Sequence, residues 1–341
     1  MFSTAASASL LEASRVAHGL TQAELSAASG VAQGVISKLE SGNLTPDPAR
    51  MSALAKALGV PVSLIDGTTM SAPHARVFHR KQASLPAKAS HKLHADMVLA
   101  HVRLSRLLRD DDLGSSIPHL PLPENGLYTP SDRAREVRKM WGLPPGPVPS
   151  IVDLLESHGV PCLMWDVSSA RVDAIASWPD DATPVILLSS RAPGDRLRFT
   201  VAHELGHAVM HAVPCADCER QADEFASEFL MPRKDIKDAL VGATLPRLAA
   251  LKPIWGTSIA ALARRARDVG AINDSQYRSL NIELSQSGYR KNEPVHVNPE
   301  LPGFVERAIA KRLAKGETIS QLADDALISV DELQRQYLEV V

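Results

Sequence analysis

One stretch of this 341-residue chain restricts its fold more than any other: RFTVAHELGHAVMHA, residues 198–212. Its apolar residues recur at helical spacing, and His203 and His207 stand four apart, on one face of a helix. Two imidazoles so placed reach a single ion, and zinc favours such nitrogen donors in a tetrahedral shell. Glu204, beside His203, is then within reach of a water on that ion as general base. Two histidines do not complete a shell, so the fold must bring a third donor to this helix. The stretch CERQADEFASEFLMP (218–232) reads as a second helix, stopped by Pro232. Glu219 and Asp223 share one of its faces, with Phe225, Ala226, Phe229 and Leu230 on the buried one. Glu219 is the expected third ligand, and Asp223 the expected acceptor for the other ring N–H of a ligating histidine, fixing its tautomer.

Rivals stand beside that choice. His211 follows His207 by four residues, although a straight helix carries it away from His203. Cys215 and Cys218 form a CxxC that could ligate, sense redox or pack as two small buried residues. His158, His211 and Arg198 are the options for an oxyanion partner. Three protein ligands and an open position are the pattern of a hydrolytic zinc site, which points to a metallohydrolase.

Around this core the chain divides. At ~150 residues per domain the length suggests two or three units. The first 65 residues read as short helices: Leu10, Leu11, Ala13, Ala17 and Leu20 at helical spacing, then a Thr21/Glu24 capping box with Gly30 closing the second helix. A third helix runs from about Ala32 to Glu40, and Pro46-Asp47-Pro48 opens a fourth that ends at Gly59. Residues 70–109 hold eight Lys/Arg against one acid, Asp96, and read as a linker followed by a basic amphipathic helix. Residues 110–130 read as a surface loop. Three strand-like runs follow (161–167, 172–178, 184–190), and from Asp195 the pattern stays helical to the end. Few strands and then many helices predict an α+β fold.

The second and third helices have the form of a helix-turn-helix, with Ala23, Leu25, Val31, Ile36 and Leu39 as its core. The third would offer Gln33, Gly34, Ser37 and Lys38 to a major groove, and Gln22 would reach a phosphate. Residues 1–66 carry four basic and five acidic side chains, so counterion release would contribute little, unless the basic stretch after them supplies charge. The whole chain, at net −2, excludes a polycationic coat. No apolar run approaches ~20 residues, three cysteines cannot all pair, and no secretory signal is evident, so the expected setting is cytoplasmic with no membrane partner.

Taken together, LTQAELSAASGVAQGVISKLESG, RFTVAHELGH, the E219-x-x-A222-D223-x-F225-A226 run to Leu230-Met231-Pro232, and WGTSIAALARRARDVGAINDSQYRSL (255–280) resemble the ImmA/IrrE family of metallopeptidases fused to a Xre/Cro-type helix-turn-helix. That resemblance implies His203, His207 and Glu219 as zinc ligands and Glu204 as the catalytic carboxylate. It also implies a protein substrate, typically a transcriptional repressor. Gly34 departs from it, placing bare backbone where such recognition helices carry a side chain.

The resulting expectation is a helix-turn-helix domain (1–68), a basic linker and helix (69–130), a zinc metallopeptidase domain with a small sheet (131–295) and a helical C-terminal region (296–341). The function expected is a Zn2+-dependent regulatory endopeptidase acting on a repressor, with DNA as a further partner and a homodimer left open. The alternatives are a regulator that uses the peptidase fold as a sensor without cutting, and a partner-binding module of the toxin–antitoxin kind. The acidic 316–337 stretch, read as helix, short turn, helix, is assigned to packing or protein docking in preference to a second DNA reader.

Overall fold

A computed structural model describes residues 10–45, 47–66, 75–78, 86–111, 114–123, 125–166, 172–179, 183–213 and 215–338. Pro46, Val167, Arg80 and Lys81, used in the sequence reading, lie outside them. The N-terminal helices are α1 (Leu10–Ala17), α2 (Gln22–Ser29), α3 (Gln33–Glu40), α4 (Pro48–Leu58) and α5 (Val62–Ile65). The Thr21/Glu24 capping box forms, and Gly30 ends α2 at φ 72°, a left-handed turn that a side chain would strain. Leu25, Ile36, Leu54 and Leu64 are completely buried in this bundle. Ala23 is not part of it. It lies on the exposed side of α2, a correction to the expected core.

Next come the short strand β1 (Ala75–Phe78) and the long helix α6 (Ala87–Leu107). Then follow α7 (Pro130–Met140), α8 (Ile151–Ser157), β2 (Cys162–Trp165), β3 (Ala174–Pro179) and β4 (Val185–Ser189). The strands lie in the order β1-β3-β4-β2, with β2 parallel to β4 and the other pairs antiparallel. Three of these strands are the runs expected from the sequence. β1 is an addition, at the edge, in the segment read as linker. Successive strand residues point to opposite faces, and here both faces are covered. Cys162, Ala176, Ile186 and Leu188 enter a larger core, while Leu163, Ile175, Val185 and Leu187 enter a second one. Such strands read as continuous apolar runs rather than alternating ones.

The larger core is completed by α9 (Gly194–Met210), α10 (Cys218–Leu230), α11 (Arg233–Leu240), α12 (Leu245–Trp255), α13 (Ile259–Asp268) and α14 (Asp274–Gln286). The second is completed by α15 (Phe304–Ala314), α16 (Ile319–Ala326) and α17 (Val330–Leu333), packed with α6. The α+β class holds. The C-terminal helices bury Leu322, Ala326, Leu333 and Tyr337, so their apolar faces are used in packing.

Helix α6 binds the whole together. Leu93, Met97, Ala100 and Leu104 lie in the second core, while Ala95, Val98, Leu99 and Val102 lie in the N-terminal bundle. Its cations turn to partners: Lys92 to Asp96 at 2.9 Å, and buried Arg103 to Glu332 at 2.9 Å. The buried Arg312 guanidinium binds Glu317 and Asp325, and donates to the Arg106 and Leu107 carbonyls at the end of α6. Among the described residues, no helix is long and apolar enough to cross a membrane.

Candidate metal centre

The site is built where α9 and α10 pack antiparallel. Gly206, between the two histidines, makes the approach close. A Cβ there would lie 3.1 Å from the Phe225 ring of α10, inside the ordinary ~3.5–4.0 Å contact. On α10, Ala222, Phe225, Ala226 and Phe229 bury the i, i+3, i+4, i+7 stripe. That rotation turns Glu219 and Asp223 towards the histidines.

The ring Nε2 atoms of His203 and His207 lie 3.0 Å apart. Glu219 Oε2 is 3.4 Å from the first and Oε1 is 3.3 Å from the second. The edge of a tetrahedron around zinc, with bonds of about 2.0–2.1 Å, is ~3.3 Å. The three donors therefore fit one such ion. Both histidines are buried, while the Glu219 side chain is 60% exposed, so one side of the cluster stays open to solvent. Glu204 is completely buried next to His203.

The far ring nitrogens are tied down. His203 Nδ1 meets Asp223 Oδ1 at 2.8 Å. His207 Nδ1 meets His211 Nδ1 at 3.0 Å, and His211 Nε2 meets Gln221 Oε1 at 2.8 Å. One set of tautomers satisfies this chain and leaves a lone pair on His207 Nε2: His211 Nε2–H donates to the Gln221 oxygen, and His207 Nδ1–H donates to His211. His211 thus stands behind His207, with both of its ring nitrogens engaged, by His207 and by Gln221. Its role was not read from the sequence, although its i+4 spacing from His207 was the signal.

The electrostatics agree with a site for positive charge. Burial lowers the basicity of His203, but bonds to Asp223 and Glu219 and the charge of Glu204 outweigh it and hold the imidazole up at about 9. A cationic ring thus stands where an ion's charge would stand. Burial pushes His207 down, and pushes His211 down to about 4. The Glu219 carboxyl is held well below the usual range by its bonds to His203 and then His207.

The other oxyanion options are committed elsewhere. Arg198 binds Glu300 and donates to the Val148 and Pro149 carbonyls, and His158 stacks on Trp141 with Nδ1 against Leu154 O. A cleft of about 1000 Å³ shares Asp223 with the centre, but none of His203, Glu204, His207 and Glu219; Phe199 of α9, Ser227 of α10, Arg264 of α13 and Arg290 also line it.

In the N-terminal bundle, Gln33, Gly34, Ser37 and Lys38 all lie on the exposed side of α3. Gln22 does not point outward with them: its Nε2 donates to Glu40 Oε2 at 2.8 Å, and Arg15 holds the same carboxylate. Cys215 and Cys218 are joined as a disulfide just ahead of Glu219, which corrects the reading of them as two buried small residues.

Two families match the chain. Residues 155–267 match the IrrE N-terminal-like domain of peptidase family M78, and residues 11–65 match the helix-turn-helix family. No curated protein and no solved structure matches it.

Proposed function

We propose that this chain, which joins an Xre-type helix-turn-helix domain to an IrrE-type peptidase-family domain, is a zinc-dependent regulatory endopeptidase. His203, His207 and Glu219 would hold the ion, and Asp223 and His211 would orient the two rings. The observation that carries this reading is the convergence of three donors at tetrahedral spacing, with both far ring nitrogens engaged. Bound there, zinc would polarise a carbonyl and acidify a water. Glu204 takes a proton from the attacking water on its carboxylate and delivers it to the leaving amine. The neighbouring cleft receives the polypeptide, and the substrate we infer is a regulatory protein of the repressor kind. The exposed face of α3, Gln33 to Lys38, is the surface we assign to DNA.

Glu204→Gln tests this. General-base removal costs about 10²–10⁴-fold in rate. The variant should retain its zinc, lose cleavage and capture the intact substrate in a pull-down. Unchanged regulation in cells carrying Glu204→Gln would remove proteolysis from the account.

One observation favours a second reading, a sensor that does not cut. Helix α6 is buried in both the N-terminal bundle and the second core, so a change at the peptidase domain has a packed route to the helix-turn-helix. In that case Glu204→Gln is silent, while His203→Ala, which removes the ion, alters DNA binding.

A further inference from the structure

A second cluster of donors lies at the same end of α10. Helix α9 ends at Met210 and is capped by His211, and the returning chain reaches Cys215 and then Cys218, the first residue of α10. One ring nitrogen of His211 and the sulfurs of Cys215 and Cys218 all lie within 4.8 Å of one another. His211 Nε2 and Cys215 Sγ converge on the same Gln221 oxygen, at 2.8 and 3.8 Å. Cys215 is exposed and Cys218 is buried, so the pair has one sulfur open to reagents. Cys162, the other cysteine, is completely buried on β2.

We propose that, in the reduced chain, Cys215, Cys218 and His211 form a second, separate site for a thiophilic divalent ion such as Zn2+ or Cd2+, and that closing the disulfide abolishes it. Two sulfurs and an imidazole are a zinc donor set, with a fourth position for water. Binding displaces the two thiol protons and takes the Nε2 lone pair of His211, so the ring proton moves to Nδ1 and the bonds to Gln221 and from His207 both open. The oxidant is a small-molecule disulfide, such as oxidised glutathione. Its S–S bond breaks as the Cys215–Cys218 bond forms, two thiolates leave on the small molecule, and the ion is released. The balance is two electrons out of the cysteines and two into the oxidant.

The test is metal stoichiometry on the full chain in two redox states. Wild type reduced with a phosphine and dialysed against Zn2+ should hold two equivalents, and after oxidation by glutathione disulfide only one. Cys215→Ser should hold one in both states; Cys215 is exposed, and the circular dichroism of the variant should match wild type. His203→Ala should fall by one equivalent in each state, which separates failure of the His203 centre from failure of this one. With Cd2+, reduced wild type should show a thiolate-to-metal ultraviolet band that Cys215→Ser lacks. Equal stoichiometry in both redox states of the wild type, together with no thiolate band, would overturn the proposal.

Discussion

Helix α10 carries two glutamates whose surroundings are opposites. Glu219, in its first turn, faces two imidazole nitrogens and is 60% exposed. Glu228, in its last turn, is 2% exposed and binds the buried Arg265 guanidinium, with Arg135 Nη1 at 3.0 Å. One carboxylate is set among groups that can share an ion. The other is neutralised by fixed cations and has no chemistry left to offer. The residue type is the same; its partners decide between ligand and brace. A buried ion pair contributes little relative to apolar packing, but losing one partner strands the other charge.

The largest effect should follow from breaking the brace. Glu228→Gln leaves Arg265 buried with its Nε–H on the Met231 carbonyl but without the carboxylate it bonds. Urea unfolding should show a loss of about 3–5 kcal/mol, and the folded variant should still bind zinc. Glu219→Gln should do the reverse: zinc lost, and in the zinc-free state a much smaller loss of stability, because its carboxylate is 60% exposed. If the two variants behave alike in both assays, the contrast between the ends of α10 is wrong.

Histidines sharpen the same point. His203 is buried among carboxylates and held up at about 9. His101 of α6 is buried against the Ser177 hydroxyl of β3, at 2.8 Å from Nε2, and burial pushes it down to about 4. Below its ordinary value of about 6.5, the unfolded chain takes up a proton that the folded chain refuses. His101 therefore supports folding fully above pH ~6.5, and that support is lost as pH falls towards 4, by about 3 kcal/mol in all. Unfolding free energies of zinc-free protein at pH 7 and 4.5 should differ less in His101→Gln than in wild type. An unchanged difference would mean that the imidazole is not desolvated.

The two kinds of feature were not equally legible in the sequence. His203, His207, Glu219 and Asp223 could be placed because each pair lies four apart on one helix, a spacing that fixes the face whatever the tertiary packing. The three longer strands and the caps at Thr21, Gly30 and Gly59 were local as well. What sequence could not show is long-range. Arg103 meets Glu332, and Arg198 meets Glu300 from about a hundred residues away, so one read as part of a basic helix face and the other as an oxyanion option when both are buried in ion pairs. The same limit hid α6, whose two apolar faces look like one amphipathic helix until two cores close on it. Ala23 shows the converse: an apolar residue of the right size, left on the outer face.

The smallest effect expected is at Asp223, which touches no ion itself. Its carboxylate fixes the His203 ring through Nδ1, orienting Nε2 and raising its basicity. Asp223→Asn keeps an oxygen that can accept that N–H but removes the charge. Zinc affinity, read by competition with a chromophoric chelator, should fall about 10–100-fold, against essentially complete loss in Glu219→Gln. Compared at pH about 10, above the value of about 9 for His203, where the pairing no longer adds stability, the zinc-free Asn variant should unfold at nearly the same urea concentration as wild type. Loss of affinity with stability retained is what orientation through a ring predicts. Unaltered affinity would show that the packing of α9 against α10 holds His203 without help from the carboxylate.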